Sequence, residues 1–198
     1  MTLRLQPRAL DQLFRAARTF NGWLPTPVTD DMVRELYDLL KWGPTAANSN
    51  PARFVWVRTP EAKARLAALA VEMNRTKIMS APLTVIVGND LGFSDTLPKL
   101  LPPFLVDRMQ QAFADPAVAE LNAARNGSLQ GAYLMLAARA LGLDCGPMSG
   151  FDNQGVDERF FGGTRIRSNF ICGLGYGDPA SLHPRLPRLA FEEAAWFQ

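Results

Sequence analysis

A short segment rich in hydrogen-bonding groups, residues 42–51, is the part of this sequence best suited to holding a ligand. It reads Trp-Gly-Pro-Thr-Ala-Ala-Asn-Ser-Asn-Pro, with two prolines, a glycine, two carboxamides and two hydroxyls but no charge. Proline, glycine and asparagine at this density are typical of turns. A neutral loop of this kind suits a heterocycle with carbonyl groups and ring nitrogens. The alternative is an ordinary helix-to-strand connection stabilised by Asx-turns.

A second segment, residues 15–23, offers groups that bind phosphate. It combines two arginines, one of them Arg18, with Thr19 and Asn21, close to the end of a predicted helix. Guanidinium groups pair with phosphate oxygens in bidentate fashion, and the hydroxyl and amide add hydrogen-bonding capacity. The alternative is a solvated cluster on the surface.

Two further segments place polar or flexible groups at the ends of predicted elements. Asn74 and Lys77 close a helix predicted from Thr59 onward, and a solvated helix end is the alternative to a ligand contact there. Residues 146–150 form a tight loop between an extended segment and a helix predicted over 153–161. The glycines at both ends of this loop permit positive φ and a close approach of the backbone to a ligand.

The hydrophobic pattern predicts the elements that position these segments within one domain, residues 1–198. Helical spacing predicts helices over residues 9–17, 30–41, 59–77, 104–113, 116–124, 128–141 and 153–161. Short apolar runs predict strands over residues 54–57, 82–88 and 169–175, the second of them central and buried. The proline-rich region 89–124 either covers the site or is a variable insertion.

Composition and charge exclude several classes of protein. The chain has 198 residues, of which 47% are hydrophobic and 20% charged, as in a globular protein. Its net charge of +2, from 21 basic and 19 acidic residues, gives no electrostatic case for a nucleic-acid partner. No apolar run approaches the ~20 residues that span a bilayer, so we expect no membrane partner.

The sulfur and imidazole groups indicate a reducing compartment and argue against metal chemistry. Cys145 and Cys172 lack the spacing of metal ligands and form no disulfide framework, which predicts free thiols. His183 is the sole histidine, which excludes multi-histidine metal sites and disfavours a Ser-His-Asp hydrolase. Residues 1–8 have no apolar signal-peptide core, so we expect a cytoplasmic protein.

Four dispersed segments match, in the same order, motifs of the flavin-dependent nitroreductase superfamily, which the chain resembles over nearly its whole length. These segments are Arg18-Thr19-Phe20-Asn21, the loop from Pro44 to Pro51, Pro147-Met148-Ser149-Gly150-Phe151 and Arg185-Leu186-Pro187. Within the superfamily the chain is similar to the malonic semialdehyde reductases of pyrimidine degradation. Segments that carry this second similarity include Asn21-Gly22-Trp23, Lys41-Trp42-Gly43-Pro44-Thr45 and Arg185-Leu186-Pro187-Arg188-Leu189.

The resemblance implies an α+β fold with a mostly antiparallel sheet wrapped by helices. It also implies an intertwined homodimer with FMN in each of two interface clefts and a C-terminal arm that reaches across the partner. Transferred residue by residue, it gives Arg18, Thr19, Asn21 and Arg185 to the FMN phosphate and ribityl chain. It implies that the loop residues line the flavin or its ribityl chain, some of them from the partner chain; they are Pro44, Thr45, Ala46, Asn48 and Asn50. It implies that Asn74 and Lys77 contact the N3/O2 edge of the ring. It also implies that Pro147, Met148, Ser149 and Gly150 lie along the ring near N5.

The implied activity is a ping-pong reaction in which NADPH or NADH reduces the flavin and a small carbonyl compound then takes the hydride from N5. Ser149 stands where many nitroreductases have glutamate, which removes a negative charge beside N5 and leaves room for a different substrate. Two alternatives stay open. One is a reductase of nitroaromatics or quinones, and the other is a non-catalytic protein that binds flavin or another small ligand.

Overall fold

A four-stranded sheet with helices on both faces organises the chain. The computed structural model describes residues 3–198; Met1 and Thr2, which belong to the predicted domain and to the segment tested for a signal peptide, lie outside the described residues. The strands are β1 (Ala52–Val57), β2 (Leu83–Asp90), β3 (Asp144–Met148) and β4 (Ile166–Gly175). The helices are α1 (Pro7–Leu10, continued by a π-helical turn over Asp11–Arg15), α2 (Asp30–Leu40), α3 (Pro60–Ala68), α4 (Glu72–Ser80), α5 (Leu97–Leu100), α6 (Pro103–Ala112), α7 (Pro116–Ala140), α8 (Asn153–Phe160) and α9 (Phe191–Ala194).

The sheet has the strand order β1-β2-β4-β3, and each neighbouring pair is antiparallel. In the central strand, Val85 lies opposite Trp56 of β1 and Cys172 of β4. The register of β2 and β4 shifts between Val87 and Gly88, which marks a β-bulge. The predicted α+β fold with a mostly antiparallel sheet is confirmed.

Two hydrophobic clusters bury the two faces of the sheet. Val85 contributes to one cluster, together with Leu36 of α2 and Leu134 of α7. Its neighbour Ile86 contributes to the other, which includes Leu66 of α3. Because successive residues of a strand point to opposite faces, an apolar run such as β2 is buried on both sides. The prediction of a central buried strand is confirmed.

The prediction of one helix over residues 59–77 is wrong in one respect, because the structure has two helices there, α3 and α4. The break falls where Val71 donates its backbone N–H to the carbonyl of Gly150 (3.0 Å). This tertiary hydrogen bond replaces helical pairing, and periodicity gives no signal of it. As a result Asn74 and Lys77 lie within α4 rather than at the end of a long helix.

The break predicted between helices 116–124 and 128–141 is also wrong, because α7 runs unbroken through Asn126 and Gly127. A Cβ at Gly127 would lie 1.9 Å from Oδ1 of Asn89, so glycine permits close packing here instead of a turn. The polar residues that resemble a turn signal therefore serve contacts with other parts of the fold.

The C-terminal arm that follows β4 is largely extended and exposed. Its aromatic residues Phe191, Trp196 and Phe197 are 52%, 77% and 91% exposed in the single chain. The prediction that this end packs against a partner subunit stays a prediction. Among the described helices, none combines the length and the apolarity needed to cross a membrane.

Both cysteine thiols lie in the core, and the prediction that they are free is confirmed. A hydrogen bond with Cys145, together with burial, raises the pKa of the Cys172 thiol well above its usual value. Since the thiolate is the reactive form, we expect the native protein at pH 8 to release less than about one-tenth of an equivalent of colour with Ellman's reagent within minutes. Denaturation in guanidinium should expose both thiols. Fast reaction of the native protein would contradict this burial.

Candidate functional site

An arginine-rich cleft of about 550 Å³ lies between the N-terminal segment and the C-terminal arm. Arg18, Thr19 and Asn21 line it from one side and Arg185 from the other. Arg185 Nη2 donates to the carbonyl of Ala17 (2.8 Å), which fastens the arm to the N-terminal segment. The structure therefore brings together the four residues predicted to bind phosphate and ribityl groups, while their role stays a prediction.

The charge of this cleft is strongly positive. Within residues 3–198, four of its arginines have no carboxylate within 4.0 Å: Arg18, Arg139, Arg185 and Arg188. Each donates instead to a backbone carbonyl, as Arg18 does to His183 and Arg139 Nη1 does to Leu13 (2.9 Å). A carbonyl satisfies hydrogen bonds without neutralising charge, so the cleft is prepared for an anion.

Strand β3 holds the N-terminal half of the cleft in place. Thr19 forms a parallel bridge with Cys145, and Phe20 donates its N–H to the carbonyl of Cys145 (3.1 Å). Gly146 makes this approach possible, because a Cβ there would lie 2.5 Å from the Phe20 carbonyl oxygen. The two predicted segments, around Thr19 and after Gly146, are thus adjacent.

The glycines of that second segment differ from expectation in backbone conformation. The positive φ that the sequence allows at Gly146 and Gly150 is not adopted, and within the described residues the glycines with positive φ are Gly142 and Gly163. The missing side chains instead make room for neighbouring protein atoms. Close approach of protein to protein, rather than to a ligand, explains both glycines.

A second cleft of about 470 Å³ lies against the neutral loop. Pro44, Asn48 and Asn50 line it, together with Leu100 of α5 and Gln130 of α7. Thr96 and Leu100 belong to the proline-rich region 89–124, so part of that region lines this cleft, while both interpretations of the region stay predictions.

Three residues of the loop that are not glycine adopt left-handed backbone conformations. They are Ala47, Asn48 and Asn50, with φ of 50°, 49° and 41°. This conformation costs an L-residue roughly 1–2 kcal/mol, and asparagine tolerates it better than alanine. Such residues persist where the surrounding contacts hold them, and they concentrate at functional sites.

The side chains of the loop bind protein groups as well as facing the cleft. Asn48 Nδ2 donates to the carbonyl of Leu100 (3.0 Å), and Asn50 Nδ2 donates to the carbonyl of Asn48 (2.7 Å). The hydroxyl of Thr45 accepts the N–H of Asn50 (3.2 Å), and the N–H of Ala46 is bound by helix α7. The carboxamides are therefore held in fixed orientations.

A third, smaller cleft of about 260 Å³ is mostly apolar. Pro147, Met148 and Ser149 line it with Met135 of α7 and Phe170 of β4. These side chains carry no charge, and they suit a flat hydrophobic group.

Asn74 and Lys77 lie behind this segment on α4. The Asn74 side chain is buried, and its Nδ2 donates to the carbonyl of Gly150 (3.1 Å). Lys77 is half-buried and does not line any of the three clefts described here. Asn74 is therefore hydrogen-bonded to the segment 147–150 that is predicted to bind the ring, whereas Lys77 lines none of the clefts.

Helix α7 contributes one residue to each of the three clefts. Gln130 lines the loop cleft, Met135 the apolar cleft and Arg139 the arginine cleft. At 1.5 Å per residue, these positions span roughly 13 Å along the helix. The predicted site residues of one chain therefore lie in separate clefts along α7 and do not meet in a single pocket.

A larger open groove, of about 670 Å³, lies between α2 and β1 and contains none of the predicted site residues. Asp30, Trp56 and Arg58 are among its lining residues, and Asp30 and Arg58 form an ion pair. Its charges are thus partly matched, unlike those of the arginine cleft.

The sequence prediction missed five residues of α7 that contact the site segments: Asn122, Asn126, Gln130, Tyr133 and Arg139. The available signal was the spacing of Asn126 and Gln130, which places two carboxamides on one face of a helix rich in small and apolar residues. A helical face that buries carboxamides needs partners for them, and the adjacent loop supplies those partners.

Comparison with known proteins agrees with this architecture. A profile of the Nitroreductase family matches residues 15–176. A protein of Caulobacter sp. (strain K31) named "Putative NADH dehydrogenase/NAD(P)H nitroreductase" is 60% identical over 192 residues, which are 97% of each chain.

Solved structures share the fold at low identity. The "putative nitroreductase ydfN" of Bacillus subtilis has a TM-score of 0.85 at 22% identity, and the match covers 98% of this chain and 100% of that one. A "putative nitroreductase in complex with FMN" from Exiguobacterium sibiricum has a TM-score of 0.84 at 20% identity, with both chains fully covered. On the match over residues 15–176 and the 60% identity with the Caulobacter protein, the chain belongs to the nitroreductase family.

Proposed function

We propose that this chain is an FMN-dependent NAD(P)H oxidoreductase. The observation that carries the proposal is the arginine cleft, where Arg18 and Arg185 meet from distant parts of the sequence without carboxylate partners among the described residues. A phosphate monoester carries about −1.5 to −2 charges and is complementary to this cleft. Family membership and the FMN bound by the Exiguobacterium protein support FMN as that phosphate ester.

The residues fit the three chemical parts of FMN. Arg18 and Arg185 hold the phosphate, with Thr19 and Asn21 on the ribityl chain. The uncharged segment Pro147, Met148, Ser149 and Gly150 would lie along the flavin ring, and Asn74 and Lys77 would meet its N3/O2 edge. Neither Asn74 nor Lys77 lines the apolar cleft in the single chain, whereas Asn74 is bonded to Gly150 of this segment. When bound, FMN supplies hydride transfer at N5, and the protein positions it and sets its electronic environment. NADPH or NADH is the reductant.

The complete site is formed by a homodimer. The loop cleft with Pro44, Asn48 and Asn50 opens at one end of the face of α7, away from the arginine cleft. Thr45 and Ala46 belong to the same loop and, with it, contact FMN in the partner. The exposed aromatic end of the C-terminal arm supports this assembly, since apolar side chains of this size are usually covered.

We place the protein in the cytoplasm as a single-domain chain. Cys145 and Cys172 are buried free thiols, which fits a reducing compartment. Residues from both halves of the sequence, such as Leu36 and Leu174, share one core cluster, which supports a single domain.

The substrate we propose is a small aldehyde, malonic semialdehyde, which is reduced to 3-hydroxypropionate as in pyrimidine degradation. This substrate carries a carboxylate. The apolar cleft has Ser149 where many relatives of this family carry glutamate, and its lining residues Met135, Met148 and Phe170 are neutral. A neutral wall avoids the repulsion that a glutamate would exert on an anionic substrate.

Nitroaromatic or quinone reduction is the second candidate. The name of the Caulobacter relative favours it, and an open, apolar cleft over a flavin is all that such reactions require. A non-catalytic protein that binds flavin or another small ligand is the third.

The first test is the visible spectrum of the purified protein. We expect a yellow protein, or one that becomes yellow when FMN is added and the excess is removed, because the phosphate cleft is already formed in the chain. Riboflavin, which lacks the phosphate, is the matched control and should be retained more weakly. A protein that stays colourless with FMN would support the non-catalytic alternative.

The second test compares turnover of malonic semialdehyde with that of nitrofurazone at equal NADPH or NADH. We expect kcat/KM to favour the aldehyde. A preference of about tenfold or more for nitrofurazone, equivalent to 1.4 kcal/mol in transition-state binding, would contradict the aldehyde assignment and leave the flavoenzyme assignment intact.

A further inference from the structure

A stripe of polar side chains on α7 is bonded to the neutral loop along its length. Asn122, Asn126, Gln130 and Tyr133 stand at positions i, i+4, i+8 and i+11, so they share one face of the helix. We infer that this polar stripe is a positioning device, which holds the neutral loop, residues 42–51, and the first residue of β1 in the conformation that contacts FMN. The ligand in this statement rests on the proposed function, whereas the control of loop conformation rests on the contacts alone.

The first half of the stripe holds the turn of the loop. Asn126 is 1% exposed, and its Oδ1 accepts the N–H of Ala46 (2.8 Å). Its Nδ2 donates to the carbonyl of Asn122 (2.9 Å), which orients the carboxamide. Asn122 Nδ2 in turn donates to the hydroxyl of Ser49 (3.3 Å), a residue with no exposed surface.

The second half of the stripe holds the two ends of the loop. Gln130 is 4% exposed; its Oε1 accepts the N–H of Ala52 (2.8 Å) and its Nε2 donates to Oδ1 of Asn50 (3.3 Å). The Tyr133 hydroxyl donates to the carbonyl of Pro44 (2.9 Å). Its ring packs on Gly43, where a Cβ would lie 2.0 Å from ring carbon Cδ2.

The loop and the stripe select each other's conformation. Ala47, Asn48 and Asn50 have left-handed backbones that an isolated chain disfavours. In a loop conformation that moved Ala46 and Ala52 away, Oδ1 of Asn126 and Oε1 of Gln130 would lose their donors while remaining buried, and a buried unpaired acceptor is costly. The strained geometry is therefore the one in which both sets of groups are satisfied.

A helix that only packed for stability would carry apolar residues on this face. Apolar side chains would bury the same area but would accept many loop conformations, because hydrophobic contact is not directional. Hydrogen bonds to Ala46, Ser49 and Ala52 fix the loop at three defined points. Asn48 of the loop also donates a hydrogen bond to the carbonyl of Leu100, which lies in the opposite wall of the loop cleft.

The test uses the full-length chain and variants at two points of the stripe. Asn126→Leu removes the acceptor for Ala46, and Asn126→Asp, which in its protonated form also donates to Asn122, restores an acceptor oxygen at the same place. Tyr133→Phe removes only the hydrogen bond to Pro44, and it is the variant to use if Asn126→Leu folds poorly. The control is Leu134→Ala, which opens a cavity on the buried apolar side of the same helix and lowers the melting temperature without touching the loop.

Two readouts separate positioning from general stability. In the flavin-free protein, hydrogen exchange followed by mass spectrometry should show the loop peptide exchanging at least about tenfold faster in Asn126→Leu, with Asn126→Asp closer to the parent protein. In the FMN titration, Asn126→Leu should weaken binding at least about tenfold and Tyr133→Phe severalfold, whereas Leu134→Ala stays within about twofold.

Each outcome decides one of the two statements. Unchanged loop exchange in both Asn126→Leu and Tyr133→Phe, or equal loosening in Leu134→Ala, would overturn the positioning role. Faster loop exchange in a protein whose parent form binds no FMN would preserve the positioning role and overturn the proposed function. Faster exchange with unchanged FMN affinity would overturn the statement that the loop contacts the cofactor.

Discussion

Arg185→Ala is expected to weaken FMN binding by ~1.5–3 kcal/mol, the contribution of a charge-assisted hydrogen bond, which is roughly 10- to 150-fold in the dissociation constant. The guanidinium of Arg185 lies in the cleft with Arg18 and is held by the carbonyl of Ala17 (2.8 Å). Its loss removes a positive charge and one of the hydrogen bonds that fasten the arm to the N-terminal segment. Fluorescence quenching on titration with FMN measures the effect.

Two further variants make that experiment specific. Arg185→Lys keeps the charge but not the planar pair of donors, so an intermediate affinity is expected. Arg159→Ala removes the same charge from an exposed site on α8 and should leave affinity unchanged. FMN binding as tight in Arg185→Ala as in the parent protein would refute the phosphate-binding role of Arg185.

Gly146→Val should damage both folding and cofactor binding. A Cβ at this position would lie 2.5 Å from the backbone oxygen of Phe20, and backbone cannot move aside as a flexible side chain can. Overpacking of this kind costs about 1–3 kcal/mol, and we expect the upper end, or a fall in melting temperature of roughly 6–12 °C. Displacement of Thr19 and its neighbours from β3 should also abolish FMN retention.

Gly163→Ala is the comparison for that substitution. Its added Cβ meets no atom within 4 Å among the described residues, so the cost is the left-handed backbone alone, about 1–2 kcal/mol. FMN binding should be retained. If Gly146→Val keeps both its melting temperature and its flavin, the close contact between β3 and the Phe20 backbone does not exist in solution.

Elements whose signals are local could be predicted from the sequence. Thr29 caps α2 by accepting the N–H of Met32 (3.2 Å), as the threonine before two aspartates indicates. Gly142 ends α7 with φ of +80°, as expected for a glycine after a helix. Strand β2 follows from its apolar run. In each case the chain carries the information within a few residues.

Elements shaped by distant contacts could not be predicted. The gap between α3 and α4 depends on Gly150, and the continuity of α7 at Gly127 depends on Asn89. Turn-forming residues look the same in sequence whether they turn the chain or pack a helix closely. Such cases are decided by partners that are far away in the sequence.

The candidate site shows the same division. Motif order identified Arg18 and Arg185, which the fold brings into one cleft. The contribution of Gln130 and Arg139 was missed because their role depends on which face of α7 meets the loop and the arm. Lys77 was assigned together with Asn74 from the family resemblance, but it is half-buried on α4 and lines none of the three clefts.

The passage of α7 along all three clefts has a practical consequence for protein engineering. A substitution that slides or rotates this helix would move one wall of all three clefts together, so their shapes cannot be changed separately from within it. Changes meant to alter the loop cleft alone belong instead in α5, which meets the loop through the Asn48–Leu100 hydrogen bond.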